Sequence, residues 1–518
     1  MTQPDRRAVV AGLAAASLLP FLGEAAAQGA PFGFDAVDRR ARDLAARPFD
    51  ARVPALPEPI ARLDYDAWRD IRFRPDRAEL AGSRFRLQLF HMGFLYKQAV
   101  AVNLVRAGVA TPIAYRTELF DFGRTGIAGP LPADLGFAGL RLHTDLNDPG
   151  VLDELMVFVG ASYFRFLGRG QLYGLSARGL ALNVEGQGGP EEFPLFREFW
   201  IELPETAPDT CVVHALLDSP SLAGAFRFTV TPGDATEVAV RARLHPRVAL
   251  DAVGLAPLTS MYFIGENDRR HADDYRPELH DSDGLQIATS AGEWLWRPLD
   301  NPRARRVSSF ADRDPKGFGL MQRDRAFTSY QDLEAAYHRR PGYFVEPDGA
   351  WGEGRVMLVE LPTDTETADN VVAFWRPKDP YPAGQPVSLS YRVRSLSAGA
   401  GLHAGGRVVN TFTAAVAASG AARTATVPGA GLRRRFLVDF AGGDLARLSD
   451  PAAVAVVAGT SAGRITATSL AANPEIGGFR AALDLELDAI GQTAELRAYL
   501  RMGERALTET WLYPWTAA

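Results

Sequence analysis

The sequence predicts an all-β protein of two sandwiches, a larger N-terminal one and a smaller C-terminal one, and three observations carry that reading. Forty-nine glycines and thirty-five prolines are scattered between short apolar runs, which suits many strands joined by tight turns. Apolar residues repeat with a period of two in run after run. Helical stripes are few and mostly early. At 518 residues, the chain is too long for one ordinary domain and short of needing three.

Taken in order, residues 1 to 27 read as an export signal. Asp5, Arg6 and Arg7 precede an apolar stretch from Ala8 to Leu22, and Ala25, Ala26 and Ala27 supply the small residues a signal peptidase needs. The paired arginines point to twin-arginine export to the periplasm, with an ordinary Sec signal as the alternative. No later apolar run has the length of a bilayer-spanning helix, so stable membrane insertion is not expected. Phe34, Val37, Ala41 and Leu44 then recur at helical spacing, and Tyr65, Trp68 and Ile71 form a second short stripe. Strands take over from Arg84 to Leu89, and continue with Phe226, Phe228 and Val230 and with Val238, Val240, Ala242 and Leu244. One later helix is expected in TSYQDLEAAYHRR, where Tyr330, Leu333 and Tyr337 would share a face until Pro341 stops it. The charged, proline-rich residues 377 to 386 read as a linker. They divide an N-terminal domain, 28 to 376, from a C-terminal domain, 387 to 518, whose alternating strands suit an immunoglobulin-like sandwich.

Composition excludes several functions. The net charge of −6, unchanged by removal of the first 27 residues, offers no basic face for nucleic acid. The single cysteine, Cys211, cannot form an intramolecular disulfide and reads as a buried strand thiol. Eight histidines form no HExxH or similar box, so neither a metal nor another cofactor is expected. Asp281-Ser282-Asp283-Gly284 resembles part of a calcium loop but lacks the distal ligands. Gly459-Thr460-Ser461-Ala462-Gly463 matches a serine-hydrolase elbow, yet a strand follows where a helix is required, so a hairpin turn is the better reading.

What remains is a region, Ala256 to Trp375, dense in charged and aromatic residues set in turns. Asp281 in RPELHDSDGL and Asp369 in ETADNVVAFW lie far apart in sequence, and a β-rich fold could bring them to opposite walls of one cleft, where two opposed carboxyls could serve as the acid–base pair of a glycosidase. Asp283, Glu278, Glu293, Glu346, Glu353, Glu360 and Glu366 compete with them, and either aspartate could instead cap a turn. Trp294, Trp296, Trp351, Trp375, Tyr262 and Tyr337 could offer ring faces to sugars, and Arg276, Arg297 and Arg340 could bind hydroxyls. For any one aromatic, a place in the core is the commoner outcome.

The chain resembles the OpgG/OpgD family of periplasmic glucan biosynthesis proteins, with twin-arginine-type members on the OpgD side. The resemblance is carried by LGFAGLRLH (135–143), FVGASYFRFLG (158–168), YGLSARGLAL (173–182), EEFPLFREFW (191–200), ALLDSPSLAGAFRF (215–228), the runs between 256 and 375, RRFLVDFAGGDL (434–445) and ETWLYPW (509–515). It implies a galactose-mutarotase-like N-terminal sandwich, a β-1,2-glucan as partner and a homodimer. It also implies an inverting endo-β-1,2-glucanase with Asp281 as base and Asp369 as acid, and with Tyr337 and Glu366 lining the same cleft; Asp283, Arg276, Trp294 and Trp351, by residue type alone, are the further expected substrate-binding residues. An inverting transglycosylase and a glucan-binding factor without catalysis stand as alternatives. Asp300, Gly342 and Tyr343 depart from the family pattern, as does the Ala/Gly-rich stretch 396–430.

Overall fold

The computed structural model describes residues 31–518 apart from 187–188, 271–272, 398–400, 417–429 and 449–450. The expected signal segment, 1 to 27, lies outside the described residues. Strands dominate, as the alternation predicts, in a ten-stranded sheet, a fifteen-stranded sheet, a four-stranded sheet and two two-stranded ribbons. Among the described residues, no helix is long and apolar enough to cross a membrane.

The two large sheets share one core. Phe158 and Phe164 of the ten-stranded sheet meet Phe228 of the other with ring centroids 5.1 Å apart in both pairs. Tyr343 reaches across as well: its hydroxyl donates to the Phe166 carbonyl at 2.6 Å and accepts from the Phe166 N–H at 2.7 Å. The phenol thus satisfies its buried polar atom while tying the sheets together.

The expected N-terminal helix forms at Phe34–Ala45. Phe34, Val37 and Ala41 pack on Trp200, Leu216 and Ala225, the outer face of the long sheet. That covering explains why Cys211–Asp218 is buried at every position instead of alternating, since a strand between a core and a helix needs apolar residues on both faces. Burial pushes the Cys211 thiol up to about 12, which leaves it inert. The stripe at Tyr65 forms a short helix, Tyr65–Asp70, capped by the Asp64 side chain.

Three expectations are corrected. The helix expected from Thr328 to Arg340 is broken into Phe327–Tyr330 and the 3-10 turn Tyr337–Arg339, with Leu333 89% exposed. Asp332 is the cause, because its Oδ1 accepts the backbone N–H of Glu334 and Ala335 at 2.9 and 2.7 Å, a local bond that competes with the helix. The strand Val387–Leu396, expected to open the C-terminal domain, lies inside the fifteen-stranded sheet between Glu237–Pro246 and Gly342–Pro347. A period-two pattern says which face is buried but not which strand lies alongside. The four-stranded sheet begins only at Arg407 and packs through Phe436, Phe440 and Phe479 on Trp296, Trp511 and Tyr513. The turn Ser461–Gly463 joins Ala455–Thr460, paired in the long sheet, to Arg464–Asn473, paired in the short one, so it links two sheets rather than closing a hairpin.

Candidate functional site

One short strand, Tyr262–Ile264, with the residues before it, assembles the cleft. The Asp281 N–H donates to the Met261 carbonyl at 2.9 Å. Asn370, beside Asp369, clamps the next residue from the other side: its Oδ1 accepts the Tyr262 N–H at 2.8 Å and its Nδ2 donates to the Tyr262 and Leu361 carbonyls at 3.0 and 2.9 Å. Two acidic turns remote in sequence are thereby bolted to adjacent residues of one strand.

Asp281 is only 5% exposed, and a buried carboxylate needs a cation or several donors. Arg340 supplies the cation through a hydrogen bond to Oδ1. The guanidinium is held over the Tyr337 ring, 4.0 Å from its centroid, and its Nη2 donates to the Ala335 carbonyl at 3.2 Å. Gly174 makes room for it, since a Cβ there would meet the Arg340 side chain at 2.9 Å. Tyr337 in turn donates to Glu366 Oε2 at 3.1 Å, and Glu366 pairs with Arg276 at 2.9 Å. Arg276 also bonds Asp332 at 2.9 Å and Asp274 at 2.9 Å, so a continuous chain of polar contacts runs from Asp281 to Asp274. Burial pushes the Tyr337 phenol up, with Arg340 opposing, so it stays a neutral donor.

Asp369 stands apart from this chain, its side chain 38% exposed and 3.9 Å from Arg165. Its pKa is raised, first by loss of solvent in the cleft and further by the charge of Asp281, while Arg165 pulls the other way. The charge of Asp281 therefore reaches Asp369. Arg178 flanks them, bonded to Thr259 and Glu191 and lying 4.7 Å from the Tyr163 ring centroid. Carboxyl, guanidinium and phenol groups thus lie close together, a set whose chemistry can hold a polyhydroxylated ligand by paired hydrogen bonds.

Asp281, Asp369, Tyr337, Glu366 and Arg276 thus come together. Asp283, Trp294 and Trp351 lie elsewhere. Trp294 packs on Phe344 and His403, and Trp351 on Trp375 and Tyr391, both beside core clusters. Arg297 is fully committed to the buried Glu360 at 2.7 Å. The sequence reading missed Arg165, Arg178 and Tyr163, which sit in strands with no acidic turn to mark them. Period-two spacing of Tyr163 and Arg165 was the available signal.

Asp283 belongs to a second polar cluster on the other side of the strand, facing Val408 to Thr411 of the four-stranded sheet. The ligand atoms of Glu278, His280 and Asp283 lie within 4.8 Å of one another, as do those of Glu266, Glu278 and Asp324, a geometry open to a cation. Burial works against a charged His280, yet the carboxylates of Asp283 and Glu278 outweigh it and push the imidazole up to about 9. Burial and the same two carboxylates push Asp324 up to about 9, and burial with Asp324 holds Glu266 well above the usual range. At neutral pH the His280 imidazole is therefore charged and the Asp324 carboxyl keeps its proton.

Comparison with known proteins supplies the context. The family model described as "Periplasmic glucan biosynthesis protein, MdoG" matches residues 32–515. A "Glucans biosynthesis protein G" from Rhodopseudomonas palustris (strain BisA53) is 47% identical, covering 99% of this chain and 100% of that one. Proteins of the same name from Shewanella sp. (strain W3-18-1) and Shewanella frigidimarina (strain NCIMB 400) are each 46% identical, over 94% and 95% of this chain and 87% and 86% of theirs. These names overturn the expectation of a glycoside hydrolase: the family and its members are named for making glucans, not for cleaving them. The inverting endo-glucanase and transglycosylase readings are set aside with it. Two carboxyls in a cleft are as apt for hydrogen-bonding sugar hydroxyls as for moving protons, and the sequence pattern does not separate the two uses.

Proposed function

Because the chain belongs to the MdoG family of periplasmic glucan biosynthesis proteins, we propose that it holds a nascent or finished glucan in the cleft between Asp281 and Asp369 during that biosynthesis. The observation that carries the reading is the gathering of Asp281 with Arg340, Asp369 with Arg165, and Tyr337 with Glu366 and Arg276 in one neighbourhood. The Asp369–Arg165 pair, with side chains 38% and 41% exposed, offers carboxylate and guanidinium edges to hydroxyls, and the buried Asp281–Arg340–Tyr337 set behind it is anchored so that little freedom is lost on binding. The ligand is a neutral polymer, which a mildly acidic protein meets without long-range repulsion. We take its linkage as β-1,2, on the family resemblance, and the export route as the twin-arginine one, on Arg6 and Arg7.

Calorimetric titration of the mature chain with linear β-1,2-glucan tests this. Saturable binding is expected, weakened about tenfold or more by Asp281→Asn together with Arg340→Met, because a paired polar site has been dismantled. A mature chain that binds no glucan, or a double variant that binds like the parent, would sink the proposal.

A further inference from the structure

Beside Asp369, a small groove of about 150 Å³ runs between the turn Leu95–Gln98 and the turn Gly160–Tyr163. Its exposed lining combines ring faces with hydrogen-bonding groups: Tyr96 and Tyr163 are half-buried, Gln98 is half-buried, and Lys97 and Leu95 are exposed. Tyr96 is braced from behind by Trp68, with ring centroids 4.7 Å apart. The floor depends on a bare Cα, because Gly160 has φ +75° and a Cβ there would meet the Tyr96 ring at 3.3 Å. Two non-glycine residues flank the groove at positive φ, Phe94 at 51° and Ala161 at 42°, a backbone strain that tends to gather at binding sites.

One strand links Asp369 to the groove. Tyr163 lines it, and Arg165, two residues along the same strand and so on the same face, reaches to 3.9 Å from Asp369. A chain held at Asp369 and passing Arg165 enters the groove next.

Resting on the glucan-binding reading above, we infer that this groove is an outer saccharide subsite, in which Tyr96 and Tyr163 receive the C–H face of a sugar ring and Gln98 and Lys97 bond its rim hydroxyls. The chemistry follows from the occupant: a pyranose is apolar across its faces and polar at its edge, so flat aromatic walls with amide and ammonium groups at the rim complement it. A purely apolar ligand would leave Gln98 and Lys97 without a role, and a strongly anionic one would meet a single ammonium, Lys97, in the groove lining rather than a cluster of cations.

The test titrates the mature chain with β-1,2-glucan oligosaccharides of increasing length. Affinity is expected to rise with length and then level off, and Tyr96→Ala is expected to weaken the longer oligosaccharides about tenfold while leaving the shorter ones within about twofold of the parent. Because Tyr96 also packs on Trp68, Gln98→Ala is measured beside it; an amide at the surface can go without harming the fold, and about a threefold loss confined to the longer oligosaccharides is expected. Unchanged affinity for long oligosaccharides in both variants overturns the subsite alone, as does an equal loss at every length. A parent that binds no oligosaccharide overturns both this inference and the reading it rests on.

Discussion

Replacing Arg340 with methionine strands the Asp281 carboxylate. The pair is nearly enclosed, with the Asp281 side chain 7% exposed and that of Arg340 17% exposed. Removing one member of a buried pair costs about 3–5 kcal/mol, and loss of the guanidinium over the Tyr337 ring adds about 1 kcal/mol. The partial exposure of Arg340 lets water reach the stranded charge and brings its share down to about 2 kcal/mol, so with the ring contact a loss of about 3 kcal/mol is expected. In an Asp281→Asn background, the amide needs no counter-charge, and the same substitution should cost only about 1 kcal/mol, leaving a coupling of about 2 kcal/mol. Urea unfolding of the four proteins at pH 7, with matching m-values, gives these numbers. A cost for Arg340→Met below about 0.5 kcal/mol, or the same cost in both backgrounds, would show that Arg340 does not compensate Asp281.

Gly174→Ala should perturb the same contact from behind, its Cβ meeting Arg340 at 2.9 Å, and lower glucan affinity with a small loss of melting temperature; affinity equal to the parent would refute the crowding argument. Asn370→Ala removes three hydrogen bonds between the Asp369 turn and its neighbours and should cost about 2–3 kcal/mol in urea unfolding, with affinity falling alongside; a loss under about 1 kcal/mol would count against the clamp. The buried acidic cluster predicts a pH dependence. Asp324 and His280 both have folded pKa values raised to about 9, so their stability is fully present at low pH and lost as pH rises, from about 4 for Asp324 and from about 6.5 for His280, up to about 9. The melting temperature should fall between pH 5 and pH 9, and Asp324→Asn should flatten that fall; an equally steep fall in the variant would place the titration elsewhere.

The sequence by itself determined the class of the fold and one wall of the cleft. Period-two alternation and frequent turns are properties of each segment alone, so the β architecture, the helix at Phe34 and the buried thiol of Cys211 could be read directly. The acidic turns at Asp281 and Asp369 stood out because metal, thiol and serine chemistry had no better residues. Tertiary structure decided the rest. Val387–Leu396 reads the same in any sheet, and only its partners place it in the middle of the longest one. Asp283 is two residues from Asp281, yet it turns into a separate polar cluster with His280, while Arg165 and Tyr163 come to Asp369 from a strand about two hundred residues upstream of it. Trp294 and Trp351, suited by type to sugar, were claimed by the cores beside them. A side chain's chemistry is written in the sequence, but which space it faces depends on strand pairing and packing between remote segments, and those are set only when the whole chain closes on itself.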